Sequence, residues 1–461
     1  MARQPDRDLA GSGHPPGMIS RAPRGATAGA DRSTDPYLPE HGNGGYAVLH
    51  YDLDLDYRIA SNRLAGRAVV TAVAVQALSR FSLDLGRFRI QDVRVDGRPA
   101  KYTHRPDKLH VKPERPIGAG DTFRVEIRYA GKPVPVSGRW GELGWEELTD
   151  GVIVASQPNG SPSWFPCNDH PADKARFRVA VTTSSPYAVL VTGDLVSRRR
   201  GPGTTTWVYE REEPTAPYLM SVQIGRYEQV ALTVGEVVQR AAVPPGVRAA
   251  FAHDFGRQGE IMEALQRLFG PYPFREYVVV VTDDELDDPV EAQGMAVFGK
   301  NHVDGRRTHE RLVVHELAHQ WFGNSLTVAD WRHIWLNEGF ATYAEWLWSG
   351  VSGDLPTDAL AEQWYARVAA RPAAVLVADP GVDRMFDPVV YKRGALTVHA
   401  LRKKVGNEAF FPLLRSWVAE HEHGTVTTEQ FRAHAQRFSR EPLDALFTAW
   451  LDSTALPPLP R

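Results

Sequence analysis

The deciding stretch reads His315-Glu316-Leu317-Ala318-His319-Gln320-Trp321-Phe322-Gly323-Asn324 and resumes at Trp335-Leu336-Asn337-Glu338-Gly339-Phe340-Ala341. Arg311-Leu312-Val313-Val314 precedes it, so both histidines fall inside a helical pattern. Positions i and i+4 of a helix share one face, about one turn apart. Two imidazoles so placed converge on one Zn²⁺ at about 2.0–2.1 Å. Glu316 lies next to the first histidine, where it reaches a water rather than the metal. A catalytic zinc needs a third protein ligand and one open position. Glu338, 19 residues after His319, supplies that ligand. The spacing predicts a first helix ending near Gly323-Asn324, a loop through Asp330, and an antiparallel helix from about Trp331. Glu345, two turns beyond Glu338 on the same face, is either an acceptor for a ligand histidine's far N–H or a solvated glutamate. His333 is off the pattern and reads as a structural or surface residue. Together these residues predict a zinc metallopeptidase with one Zn²⁺ per chain.

Working outward, helices are expected from Glu310 to the end. Ahead of them, Phe255 to Phe269 has helical apolar spacing at Ile261, Leu265 and Leu268 and stops at Gly270-Pro271. A buried strand, Tyr277 to Val281, leads into a loop bearing Asp283, Asp284, Glu285, Asp287, Asp288 and Glu291. Before about Pro244 the pattern is different. Tyr51-Asp52-Leu53-Asp54-Leu55-Asp56-Tyr57 alternates strictly, as a half-buried strand does. β-rich runs recur at 67–75, 123–129 and 175–181, separated by turn signals such as Asp96-Gly97 and Gly201-Pro202-Gly203. The expectation is a multidomain α+β chain: an all-β, antiparallel sandwich or saddle over 46–244, then a mainly α catalytic domain with a small sheet over 245–461. Residues 1–45, rich in Gly, Pro, Arg, Asp and Ser, are expected to be a disordered tail.

Composition narrows the function classes. The 461 residues are 43% hydrophobic and 24% charged, ordinary for globular chains, with a net charge of -3. No global field points to nucleic acid or an anionic membrane. The basic run Arg198-Arg199-Arg200 reads as a solvated hairpin tip. No stretch approaches the roughly 18 apolar residues of a membrane span, and residues 1–45 carry no signal-peptide core. The lone Cys167 excludes an intrachain disulfide and fits a reducing, cytoplasmic setting; it reads as a small buried residue.

From His315 to Trp346, with Trp321-Phe322-Gly323-Asn324 and Asp330-Trp331 between the ligands, the chain resembles the gluzincin aminopeptidases, the family of aminopeptidase N and leukotriene hydrolase. The resemblance implies a thermolysin-like catalytic domain, zinc on His315, His319 and Glu338, and Glu316 as general base. The family carries a G-x-M-E-N segment whose glutamate binds the substrate's α-amino group. Asp288-Pro289-Val290-Glu291-Ala292 stands there, which implies Glu291; another register sets Met295 on the motif methionine and Ala296 in place of the glutamate. Tyr391-Lys392-Arg393-Gly394-Ala395 is similar to Y-E-K-G-A and implies Tyr391 as donor to the oxyanion. Ser156-Gln157-Pro158-Asn159 resembles the family's substrate-facing loop and implies Gln157 and Asn159 as substrate contacts, while Phe165 to Asp169 is implied to be structural. Many members carry a long C-terminal helical domain; this sequence ends soon after Phe447 to Leu451, which predicts a more open cleft.

The leading expectation is an aminopeptidase acting on peptides with a free N-terminus, with Glu291, helped by the acidic loop, on the terminal ammonium. The loop acids also read as plain solvated charge. A zinc endopeptidase, a dual peptidase and epoxide hydrolase, and an idle binding module on the same fold are the competing readings. Glu291 discriminates among the enzymes: its carboxylate must face the metal.

Overall fold

Alternation in the first long strand builds the N-terminal half. The computed structural model describes residues 25–460 apart from positions 106, 234, 235 and 373. In the strand Tyr46–Arg58, Tyr51, Leu53, Leu55 and Tyr57 are buried while Asp52, Asp54 and Asp56 face outward. Tyr46–Arg58 sits near the middle of an eight-stranded sheet, pairing antiparallel with Arg63–Ala74 and parallel with Ala175–Ser184. On the outer face Arg178 Nη1 lies 2.6 Å from Asp52 and 3.0 Å from Asp54, so alternating charges cover the sheet. Four- and five-stranded sheets complete this all-β half, and its buried face is one apolar cluster.

The seam with the second half falls earlier than the expected boundary near 245. Strands Glu228–Thr233 and Val238–Val243 join Glu276–Thr282, Met295–Gly299 and Val290–Ala292 in a five-stranded sheet. The composition shift near Pro244 marks the first helix, not the change of sheet. Ile153 and Leu190 from the all-β half share a small apolar cluster with Val278, Val280 and Val297 of this sheet. The helices follow: α1 (Arg248–Asp254), α2 (Gln258–Phe269), α3 (Glu310–Ala318), α4 (Trp335–Ser352), α5 (Thr357–Ala369), α6 (Pro388–Val405), α7 (Asn407–Glu420), α8 (Thr428–Gln436) and α9 (Asp444–Leu451). Among the described residues no helix is long and apolar enough to cross a membrane.

The expected disordered tail also needs correction. Residues 1–24 lie outside the described residues, but 25–45 form a strap across both halves. Thr27–Ala28 pairs with the strand Leu78–Asp84. Asp35, 2% exposed, receives the Trp331 N–H at 3.0 Å on Oδ2 and the Tyr37 N–H at 2.8 Å on Oδ1. Tyr37 and Leu38 rest on the apolar core of the helical half. The strap is fixed chiefly by polar contacts, which leave no apolar periodicity in the sequence.

Lys174 is a further tie. Its ammonium reaches from the all-β half to three carbonyls: Ser325 at 2.8 Å, Asn324 at 3.1 Å and Gly424 at 3.3 Å. Burial lowers it to about 7. Lys174→Met removes all three bonds while keeping the length of the side chain. The expected loss is about 2–3 kcal/mol, read as a lower denaturant midpoint; an unchanged midpoint would show that the tie carries no stability.

Candidate active site

Three helices position the predicted residues. His315 lies in α3, and His319 caps its C-terminal end. The helix proper stops at Ala318, and turns through Phe322 lead to Gly323, whose φ of +124° disfavours a side chain. A Cβ there would also stand 3.2 Å from His319 Nδ1. The short turn Trp331–His333 precedes α4, which begins at Trp335 and places Glu338 in its first turn, where the helix dipole favours a carboxylate. α6 crosses α4 at two glycines: a Cβ on Gly339 would lie 2.9 Å from the Gly394 carbonyl carbon. That close approach brings Tyr391 to the same cavity as Glu338.

The geometry is that of a divalent metal cradle. Glu338 Oε2 lies 3.4 Å from His315 Nε2 and 3.4 Å from His319 Nε2. The far nitrogens are occupied: His315 Nδ1 bonds Glu345 Oε1 at 2.8 Å, and His319 Nδ1 bonds the Phe322 carbonyl at 3.0 Å. With a proton kept at each Nδ1, it is Nε2 that presents its lone pair to a metal once the ring is neutral. Glu345, only 7% exposed, is therefore not a solvated glutamate here and lies against a ring of the cradle. Glu316 is 3% exposed, and its Oε2 has no hydrogen-bond partner among the described residues. Two imidazoles, one carboxylate and a further unpartnered carboxylate beside them fit zinc and its chemistry.

Electrostatics follow from burial and proximity. Burial pulls His315 down, but Glu338 and Glu345 more than offset it and hold its imidazolium up to about 9. Burial likewise pulls His319 down, and Glu338 and Glu291 carry it up to about 10. Glu338 is held low: burial opposes ionisation, but the two imidazoles win. Burial raises Glu316 and Glu291. Tyr391, pushed up by burial and by the Glu338 and Glu291 charges, keeps its phenolic proton; its ring lies 6.2 Å from that of His315 at 14°.

Glu291 stands on the edge strand Val290–Ala292, opposite Ala296. Its carboxylate comes within 4.8 Å of the donor atoms of Glu316 and His319, so the register with Glu291 is the one that puts an acid in the site. Gln157 Nε2, from the all-β half, donates to Glu291 Oε1 at 2.7 Å. Asn159 does not join it. It bonds His41 Nε2 at 2.9 Å and lines a separate cavity, because the chain turns away after Pro158. Of the acidic loop, Asp288 lines the catalytic cavity, whereas Asp284 receives the Thr149 hydroxyl at 2.5 Å. His333 is structural, 2.9 Å from the Thr428 hydroxyl, and Cys167 is buried.

The cavity, about 550 Å³, holds residues that sequence reasoning missed. Trp140 and Leu143, from a hairpin of the all-β half, face Phe386 and Pro388; the Trp140 and Phe386 rings meet edge-on at 5.9 Å. Arg311 and Lys392 also line it. The last two had a signal, one turn before His315 and next to Tyr391; the hairpin aromatic had none.

Comparison with known proteins agrees with this architecture. Residues 47–219 match the Peptidase M1 N-terminal domain and residues 254–450 the Peptidase family M1 domain. An M1 zinc metallopeptidase from Deinococcus radiodurans superposes with a TM-score of 0.85 at 31% identity, over 93% of this chain and 98% of that one. Yeast LTA4 hydrolase shares the fold at 21% identity, with a TM-score of 0.77 over 90% of this chain and 69% of that one. Aminopeptidase M1-B of Oryza sativa subsp. japonica is 25% identical over 89% of this chain and 50% of its own length. Aminopeptidase M1 of Arabidopsis thaliana is 25% identical over 66% and 37%. The chain therefore spans about a third to a half of such plant relatives. It spans nearly all of the bacterial structure at 31% identity, and with matches to both family domains the chain belongs to peptidase family M1.

Proposed function

We propose that the chain is a zinc aminopeptidase that removes N-terminal residues from peptides, with zinc on His315, His319 and Glu338. The observation that carries the reading is the buried, unpartnered Glu316 carboxylate beside three converged metal donors. The pairing of Gln157 with Glu291 at the same cavity directs it to free amino ends. A point mutant of the bacterial M1 metallopeptidase has been crystallised with a Tyr-Ser-Ala substrate, which supports peptides as the substrate class. The lone buried Cys167 fits a reducing, cytoplasmic setting.

Zinc, when bound, supplies Lewis acidity that polarises the scissile carbonyl and acidifies a water in the site. Glu291, oriented by Gln157, holds the terminal ammonium and so fixes the first peptide bond at the cradle. Glu316 takes the attacking water's proton and returns it to the leaving amine. The Tyr391 phenol donates to the oxygen that gains charge. Trp140 and Phe386 wall the cavity against water.

Aminoacyl-naphthylamides assayed beside N-acetylated peptides test the reading. Free amino ends should be required, a chelator should stop turnover, and Glu316→Gln should lower kcat about 10²–10⁴-fold with zinc still bound. Glu291→Ala should lower kcat/KM for free-amino substrates roughly 100-fold, an ion-pair-sized loss. Equal cleavage of blocked peptides would make the protein an endopeptidase, and zinc binding without any turnover would make it a binding module.

Metal uptake gives two further expectations. Both imidazoles are raised above 7 in the metal-free protein, so zinc loading at pH 7 should release about two protons, seen as buffer-dependent heat. Affinity should then rise with pH until the imidazoles are neutral; a buffer-independent heat would contradict this. Glu345→Ala removes the acceptor of His315 Nδ1 and should weaken zinc binding about 10–100-fold in competition with a chromogenic chelator. Unchanged affinity would reduce Glu345 to a packing residue.

A further inference from the structure

The catalytic cavity is bipolar along α3. Its acidic end carries Glu291, whose carboxylate clusters with Glu316 and His319. At the other end Arg311 stands one turn before His315, and Lys392 follows Tyr391; both line the cavity. These two cations share one acid. Arg311 Nη1 is 3.6 Å from Glu345 Oε2, and Lys392 Nζ is 3.8 Å from Glu345 Oε1. Glu345 Oε1 is already bonded to His315 Nδ1 at 2.8 Å. Neither cation is within direct hydrogen-bonding distance of that carboxylate, so each keeps N–H donors that Glu345 does not use.

The two cations differ in exposure. The Arg311 side chain is 61% exposed, and alone it would be an ordinary solvated arginine. Lys392 is 15% exposed, with its ammonium 4.8 Å from the centre of the Trp364 ring. A largely buried lysine beside a guanidinium fork is a strong receiver for an anion. The matching anion follows from the orientation of the substrate. With the ammonium at Glu291, on the His319 side, the leaving residues run toward His315 and Arg311. Four residues of helix rise about 6 Å. Extended peptide covers about 3.5 Å per residue. One or two residues beyond the scissile bond therefore bridge the gap.

Resting on the aminopeptidase reading of the site, we infer that Arg311 and Lys392 form a carboxylate-receiving subsite on the leaving side of the cleft. It selects peptides with a carboxylate one or two residues beyond the scissile bond: dipeptides and tripeptides by their C-terminus, or longer peptides with an acidic second residue. The helical half thus supplies a charge anchor for both ends of a short zwitterionic peptide.

The test measures affinity by calorimetry on zinc-loaded Glu316→Gln protein, and kcat/KM on the unsubstituted protein. The ligands are Leu-Ala against Leu-Ala-amide, and Leu-Glu-amide against Leu-Gln-amide. The charged member of at least one pair should be favoured about ten-fold or more, the worth of a charge-assisted bond. A gain in the first pair assigns the main-chain carboxylate; a gain in the second assigns the side-chain one. Arg311→Met and Lys392→Met should each collapse the ratio, and Arg311→Lys should keep most of it. A role exercised only through Glu345 and His315 would weaken charged and neutral ligands alike, and that result overturns the inference. Equal affinities within both pairs in the protein with Arg311 and Lys392 intact overturn it as well. N-acetyl-Leu-Ala and its amide run alongside. Their cleavage would sink the aminopeptidase reading while leaving the acid-to-amide ratio to decide this one.

Discussion

The Glu338 carboxylate, 2% exposed and facing two imidazoles at 3.4 Å, is the constraint around which the helical half is arranged. A buried carboxylate is costly unless compensating charge stands beside it. Compensation here needs three separate chain segments to hold fixed positions. α3 supplies the imidazoles, α4 the carboxylate in its electropositive first turn, and α6 the phenol. The Gly339 and Gly394 contact lets α4 and α6 approach closely, and a methyl group at either would push Glu338 or Tyr391 out of place. The surrounding Trp321, Trp331, Trp335 and Phe340 are rigid, fully buried rings that resist such shifts.

The site is also an interface. Gln157 and Trp140 come from the all-β half, Glu291 and Phe386 from the helical half, and each pair meets across the seam. The Gln157–Glu291 and Trp140–Phe386 contacts therefore depend on how the halves are held. Among the contacts that join them are the apolar cluster around Ile153 and Val280, the Lys174 ammonium on three carbonyls, and the strap through Asp35. The polar contacts are directional, which matters for a hydrogen bond as short as that between Gln157 and Glu291.

Legibility in the sequence followed the range of the interaction. The cradle was readable because its spacing is local: i and i+4 at the end of α3, and Glu338 in the first turn of the next long helix. The all-β half was readable because alternation in Tyr51 to Tyr57 is a property of one strand. The strap was not, since Asp35 is held by Trp331, almost 300 residues away, through a single carboxylate. Two strands before 245 were assigned to the wrong half because strand pairing is non-local and leaves no compositional edge. Asn159 misled for a related reason: two residues after Gln157 along an irregular loop, direction is set by the turn and not by a period. Trp140 is an aromatic in a hairpin, and nothing local distinguishes it from a core residue.

Lys392 illustrates a different limit. Its place beside Tyr391 was visible, but its consequence depends on what surrounds Glu345 in space. An acid at that place, as in the similar Y-E-K-G-A segment, would set two carboxylates near each other beside a metal ligand. The lysine instead sets two cations, Lys392 and Arg311, around one carboxylate. The neighbouring Arg393 turns away entirely, donating to the Trp450, Thr454 and Ala455 carbonyls and so fixing the chain after α9 to α6. Two adjacent basic residues on one helix thus have unrelated surroundings, one lining the cavity and one closing the fold. Helical geometry alone separates them by 100°, which is enough to put one in the cavity and the other in the core.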